Sequence, residues 1–295
     1  MGINVKPMMR ARRAFLLLAV LAAASCAALV ASGCGSSSAT LDPVANAAEV
    51  TSQAGGAHFA LNMQVSGSGL PATVSASGEG FFNYASREGE LTLDLGGLPA
   101  SPALPSGPLH MEMKFKGTAI YVGSPLLAGK LPNGAQWVKV DLARAGQALG
   151  INLSQLTGGQ TNPAQFLEYL KASGGPVSAV GYETVRGVGT TRYRGTIDLG
   201  KAADALPSSE RGAVRSAISK MGISSLPVEV WVDAHKLVRR IAVAVNVPAA
   251  GQELQLRLTV ELFGFGSTPR VSAPSGNEVF DATGSALGDP GHLGG

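Results

Sequence analysis

The nine residues from Leu254 to Leu262 constrain this chain most. Leu254, Leu256, Leu258, Val260 and Leu262 alternate without a break with Gln255, Arg257, Thr259 and Glu261. Successive residues of an extended strand point to opposite faces, so a period of two means a strand with one dry side and one wet side. The pattern recurs in Phe59, Leu61, Met63 and Val65, and in Leu91, Leu93 and Leu95 against Thr92 and Asp94. It returns in Leu109, Met111, Met113 and Phe115 against His110, Glu112, Lys114 and Lys116. Farther on, Val228, Val230 and Val232 precede Ile241, Val243, Val245 and Val247, with Asp233-Ala234-His235-Lys236 placed as a hairpin turn. Strands buried on both faces would read as continuous apolar runs, so these are one-sided antiparallel strands. The spacing gives about ten or eleven of them.

Helical signals are fewer. Asp42-Pro43 and Asn162-Pro163 each put a capping side chain before a proline at the first helical position. They start helices over 44–53 and 164–172, and Ser208 opens a third that runs to Met221; a short turn follows Asp141. Phe166, Leu167 and Leu170 share one face, as do Val214, Ala217, Ile218 and Met221. A wide antiparallel sheet twists and curls as it grows, and its apolar face needs cover. The expected fold class is therefore α+β: a strongly curved antiparallel sheet with a few helices on its concave side.

The ends differ from this middle. Lys6, Arg10, Arg12 and Arg13 precede an apolar run from Ala14 to Val30, and the small residues Ala31-Ser32-Gly33 precede Cys34. That is the layout of an export signal over 1–33. The apolar run is short and alanine-rich for a spanning helix, which prefers about 20 strongly apolar residues. Ala31-Ser32-Gly33-Cys34 resembles the lipobox of bacterial lipoproteins, in which the cysteine receives diacylglycerol and becomes the mature N-terminus. The other cysteine, Cys26, lies inside the segment to be removed, so the expected mature domain has neither a disulfide nor a thiolate metal site. Residues 34–40 then form a flexible small-residue tether, 41–267 the folded domain, and 268–295, rich in Pro, Gly, Ser and Asp, a disordered tail.

Processing also reverses the charge. Four of the 23 basic residues and none of the 20 acidic ones precede Cys34, leaving 19 against 20. With no basic stripe and interleaved aromatics, the chain is not read as a nucleic-acid binder. His58, His110, His235 and His292 form no pair at metal-ligand spacing. Asp233 and His235 flank a turn, and no serine sits in a Gly-x-Ser-x-Gly elbow. Gly187-Val188-Gly189 and Gly78-Glu79-Gly80 open no helix, so they are read as turns or bulges. Glu229 and Asp233 fall on the wet side of one strand, where a solvated surface is the default, and Tyr121, Trp137, Tyr182, Tyr193 and Trp231 are read as sheet residues available to a pocket mouth. No catalytic residue and no cofactor are expected.

Several stretches, taken in order, resemble the LppX/LprAFG lipoproteins, a family similar in fold to the LolA and LolB carriers. They are the lipobox; Ala119-Ile120-Tyr121-Val122 with Gln136-Trp137-Val138-Lys139-Val140; and Asn162-Pro163-Ala164-Gln165-Phe166-Leu167 with Val180-Gly181-Tyr182-Glu183-Thr184-Val185-Arg186-Gly187. Thr190-Thr191-Arg192-Tyr193, Thr196-Ile197-Asp198, and Leu226-Pro227-Val228-Glu229-Val230-Trp231-Val232-Asp233 before Leu237-Val238-Arg239-Arg240 complete the set. The resemblance covers most of 41–265. It implies a half-barrel enclosing an apolar pocket for acyl chains of a lipid or lipoglycan, carriage of that ligand in the cell envelope, and an envelope transporter protein as partner. The Pro-rich insertion Leu98 to Pro108 departs from the family pattern and, with Leu126 to Asn133, is a candidate gate.

On that reading the cavity is lined by Phe59, Leu61, Met63, Leu91, Leu93, Met111, Met113 and Phe115 from the first half of the chain. Phe166, Leu170, Ile218, Met221, Val243, Leu256 and Leu258 supply the rest. Methionine thioethers adapt to irregular apolar partners. The alternative from a different class is a non-transporting envelope interaction or regulatory module whose core is filled. Anchoring has a direct test: Cys34→Ser should move the exported protein from the membrane fraction to the soluble fraction and remove the lipid increment from its intact mass. Unchanged partitioning and mass would exclude lipid on Cys34.

Overall fold

The computed structural model describes residues 43–68, 70, 72–98, 107–144, 177–204, 208–249 and 252–283. Helix α1 (Pro43–Ser52) leads into β1 (Gly56–Gly67), β2 (Val74–Asn83), β3 (Glu88–Gly96), β4 (Leu109–Lys116), β5 (Ala119–Gly123) and β6 (Trp137–Asp141). Strands β7 (Ser178–Val185) and β8 (Val188–Asp198) are followed by helices α2 (Leu199–Asp204) and α3 (Ser208–Met221). Then come β9 (Ser225–Asp233), β10 (Val238–Ala249), β11 (Gln252–Phe263) and β12 (Val279–Asp281).

All twelve strands belong to one open sheet, ordered β12-β6-β5-β4-β3-β2-β1-β11-β10-β9-β8-β7. Every pair is antiparallel except β12 with β6. Two meanders, β1 to β6 and β7 to β11, meet at the β1–β11 ladder, where Phe59 faces Leu262 and Val65 faces Leu256. This is the open, curved antiparallel sheet of an α+β fold expected from the alternation, in keeping with the half-barrel that the resemblance implies, with twelve strands rather than ten or eleven.

The register sorts the sheet into two faces. Phe59, Leu61 and Met63 pair laterally with Leu262, Val260 and Leu258, and those with Ile241 and Val243. On the other side the apolar rows run through Gly80 and Gly78 to Leu91 and Leu93, then to Met113 and Met111. Helix α1 packs on this apolar face through Ala47 and Val44 against Val230, Val232, Val238, Val260 and Leu262. The Thr51 hydroxyl donates to the Ala47 carbonyl at 2.7 Å and accepts from the Val238 amide at 2.8 Å. That amide adjoins the register shift at Arg239, so the hydroxyl satisfies a donor beside an irregular point of the ladder. At the other end of β10, α3 stops at Gly222, whose φ of +65° and amide bond to the Ile218 carbonyl form the left-handed helix end that glycine favours.

Three expectations change. The segment from 268, read as a disordered tail, is ordered through 283: Val271 is buried, β12 pairs with β6, and Thr283 is buried against Asp281 and Asp141. Burial pushes the Asp281 carboxyl up, but two hydrogen bonds from Thr283 and the Lys139 ammonium at 3.0 Å bring it down to about 2. Three paired residues give too short a run for periodicity to register. Leu199–Asp204, not expected, forms α2. Gly78 and Gly80 lie in the middle of regular β2 rather than in a turn or bulge. The predicted helix over 164–172 lies outside the described residues, as does most of Leu98 to Pro108.

A Cβ on Gly80 would sit 2.1 Å from the Glu90 carbonyl oxygen and 3.0 Å from the Phe59 ring. The backbone of β3 occupies the space a side chain would need. Gly80→Ala should therefore cost roughly 2 kcal/mol or more in urea unfolding, within the range of overpacked core positions. A loss below about 0.5 kcal/mol would show that the β2–β3 ladder yields freely.

Candidate functional site

Eleven of the expected cavity residues come together on one surface. Phe59, Leu61 and Met63 on β1, Leu256 and Leu258 on β11, and Val243 on β10 share the apolar face with Leu91 and Leu93 on β3 and with Met111, Met113 and Phe115 on β4. Eight of them are only half-buried: Phe59, Leu61, Met63, Met111, Phe115, Val243, Leu256 and Leu258. Leu91, Leu93 and Met113 are buried and form a small cluster of their own, with Ile120 and Val122 beside it. Ile218 on α3 is half-buried. Met221 ends α3, and Phe166 and Leu170 lie outside the described residues, as do Cys34 and His292.

Helix α1 covers the apolar face at β9, β10 and the Val260–Leu262 end of β11, the other described helices lie against β8, β9 and β10, and the apolar rows continue across β1 to β4. Aromatic rings mark one end of these rows: Phe82 lies 6.4 Å from Phe115, edge-on, and 6.2 Å from Tyr84. Burial pushes the Tyr84 phenol far up, so it stays neutral at any ordinary pH. The surface can remove hydrocarbon from water but offers no charge to it.

The opposite face is built from ions. Trp231, 4% exposed, donates its indole N–H to the Glu183 carboxylate at 2.8 Å, between the guanidinium groups of Arg192 and Arg240, 5.4 and 5.2 Å from its rings. Arg240 bonds Glu183 and Glu261, Arg186 bonds Glu261 and stacks on Phe263 at 4.0 Å, and Arg192 and Arg194 both bond Glu229. Glu229 was expected on a solvated surface; it lies inside this network instead. The Asp233 side chain, 1% exposed, accepts the His235 and Leu237 amides and the Arg239 Nε, so it holds the β9–β10 turn.

His58 lies between Phe81 and Phe263, His110 sits 3.0 Å from Asp94, and His235 occupies the turn. Among the described residues no three His, Cys, Asp or Glu side chains are placed to hold a metal ion. Of the other rings named from the sequence, Tyr193 packs into the apolar core, Tyr121 and Trp137 lie on the ionic face beside Lys114, and Tyr182 is 89% exposed on the edge strand β7. No described helix is long and apolar enough to cross a membrane.

Hydrogen bonds from Trp231 and Arg240 hold the Glu183 carboxyl below its ordinary value. Burial pushes Glu229 and Glu261 up, but guanidinium bonds from Arg192 and Arg194, and from Arg186 and Arg240, outweigh it and hold both low. Carboxyls with lowered folded values contribute stability that is fully present above their unfolded value, near 4.5, and lost as pH falls through the lower folded values. In a Trp137→Phe background, denaturation followed by Trp231 fluorescence should show stability flat above about pH 5 and falling below about 4.5. Arg240→Gln should flatten that acid limb. An acid limb unchanged by Arg240→Gln would remove the network from the account.

No family model matches the chain. It is 34% identical over 110 residues to an uncharacterized 31.2 kDa protein from the rplA–rplJ intergenic region of Streptomyces griseus, a match that covers 35% of each chain. The chain thus spans about a third of the length of that curated relative. Among solved structures it is similar to the lipoprotein LppX of Mycobacterium tuberculosis, with 13% identity and a TM-score of 0.40 over 78% of this chain and 98% of that one. It is similar also to LprF of Mycobacterium bovis, with 15% identity and a TM-score of 0.36 over 81% and 100% of the two chains. With the MucA/MucB complex of Pseudomonas aeruginosa the identity is 11% and the TM-score 0.32, over 80% of this chain and 60% of that one.

Proposed function

We propose that this chain is an extracytoplasmic lipoprotein, anchored to the cell membrane through lipid on Cys34, that binds acyl chains on the apolar face of its sheet and carries them in the envelope. The observation that supports this is the half-burial of Phe59, Leu61, Met63, Met111, Phe115, Val243, Leu256 and Leu258 on one continuous surface. An interior packed for stability alone would bury such side chains, because apolar interiors are filled to the density of organic crystals. Each methylene of a guest moved from water onto this surface gains about 0.8 kcal/mol, so two long chains hold firmly without any polar contact. The guest is a lipid or a lipoglycan whose headgroup stays outside, and the chain acts by binding, with no catalytic group.

A second reading has its own support. Leu91, Leu93 and Met113 are buried, so the β3–β4 end of the face is filled, as a non-transporting interaction module would have it throughout. Native mass spectrometry on protein purified from its host separates the two. The carrier should retain an acyl lipid, and the delipidated chain should bind a fluorescent fatty-acid probe with Met63→Gln and Leu256→Gln each weakening it by about an order of magnitude, or ~1.4 kcal/mol. A chain that arrives empty and ignores the probe is the module.

A further inference from the structure

The ionic face carries a groove of about 540 Å³ that the acyl-binding reading does not use. Two adjoining lateral rows across β11, β1, β2 and β3 make it. One runs Glu261, Ala60, Glu79, Thr92, and the next Thr259, Asn62, Ser77, Asp94. The depression exists because its floor is Ala60 and Ser77, two short side chains, while carboxylates stand at its rim. Its volume lies within the range of small-ligand pockets, about 300 to 1,000 Å³.

Two features define what would fit. The first is hydrogen-bonding capacity open to solvent: among the described residues the Asn62 amide and the Ser77, Thr92 and Thr259 hydroxyls have no protein partner, although the arginines and glutamates beside them are paired. The second is that two of the three carboxylates are already engaged by guanidinium groups. Glu261 is held by Arg186 and Arg240, Glu79 lies 3.5 Å from Arg186, and Asp94 lies 3.0 Å from His110. A cation gains little from carboxylates that guanidinium groups already satisfy, and an anion meets three acceptors. A neutral molecule rich in hydroxyls donates to the carboxylate lone pairs that remain and accepts from the amide and hydroxyls. The next row of the same face is His58, Phe81 and Phe263, with ring centroids 6.0 and 5.9 Å from the histidine. Arg186 stacks on Phe263, so Phe81 is the ring of this border that suits the C–H face of a pyranose.

We propose that this groove binds a neutral glycan, on the face of the sheet opposite the acyl-binding surface. The site stands or falls independently of lipid carriage. Titration of the isotope-labelled full chain with maltotriose, cellotriose and mannotriose, read by amide chemical shifts, tests it. At least one trisaccharide should bind saturably, shifting Asn62, Ser77, Thr92 and Thr259, while the fatty-acid probe still binds as before. Ser77→Trp, which fills the floor, should weaken it at least tenfold, and Asn62→Ala with Thr259→Ala should do so about fivefold at an unchanged melting temperature. Because those two truncations leave the sheet backbone intact, they keep the test decisive if Ser77→Trp misfolds. No binding by any of the three, equal binding by the truncated variant, or shifts of these amides with spermidine alone would each overturn the assignment.

Discussion

Strand β1 hydrogen-bonds on one side to its sequence neighbour β2 and on the other to β11, nearly two hundred residues away. That long-range ladder joins the two meanders into one sheet. It also aligns the apolar rows of the two meanders on one face. A slip of one residue at β1–β11 would turn Phe59, Leu61 and Met63 to the face that carries Glu261 and Thr259. The unbroken alternation of β11 makes such a slip costly at every position, which is why a pairing that closes so large a loop still has one solution.

The two faces are stabilised by different means. On the apolar side, α1 buries its alanines against valines of β9 and β10, and one threonine hydroxyl ties the helix to the register shift at Arg239. On the other side, the strands from β7 to β11 are linked by arginines that reach across to carboxylates of other strands, with Trp231 enclosed among them. The β3–β4 part of that face carries separate contacts: Lys114 with Glu90 and Lys116 with Glu88 at 3.4 Å, His110 with Asp94 at 3.0 Å, and Lys116 to the Val271 carbonyl at 3.0 Å. Exposed pairs of that kind contribute about 0 to 1 kcal/mol each. The C-terminal meander is therefore the more firmly braced of the two.

Much of this was legible in the chain because alternation is a local signal. Leu254 to Leu262, Leu109 to Phe115 and Ile241 to Val247 became strands with the expected faces, and Asp233 to Lys236 became a turn. Eleven of the expected cavity residues share one surface for the same reason: residues two apart in a strand stay on one side however the strands are ordered. The network around Trp231 could not be read this way. Glu183, Glu229 and Glu261 look like solvated residues until the strand order sets arginines of other strands beside them. Gly78 and Gly80 were misread for a related reason, since the group that excludes a side chain belongs to β3. The strand at Val279–Asp281 has neither period nor length, and it is held through Asp281 and Thr283 rather than by an apolar face.

Half-buried leucines and methionines contribute less to stability than buried ones, so the sheet draws part of its rigidity from elsewhere. Here the backbone ladders supply it. Each strand from β1 to β11 except β7 has a partner on both sides, so its amides and carbonyls are satisfied whether or not the apolar face is occupied. The strand pairing is thus independent of how the side chains of the apolar face are packed. The ionic network acts in the same sense, since its arginines lie on the side away from the apolar rows.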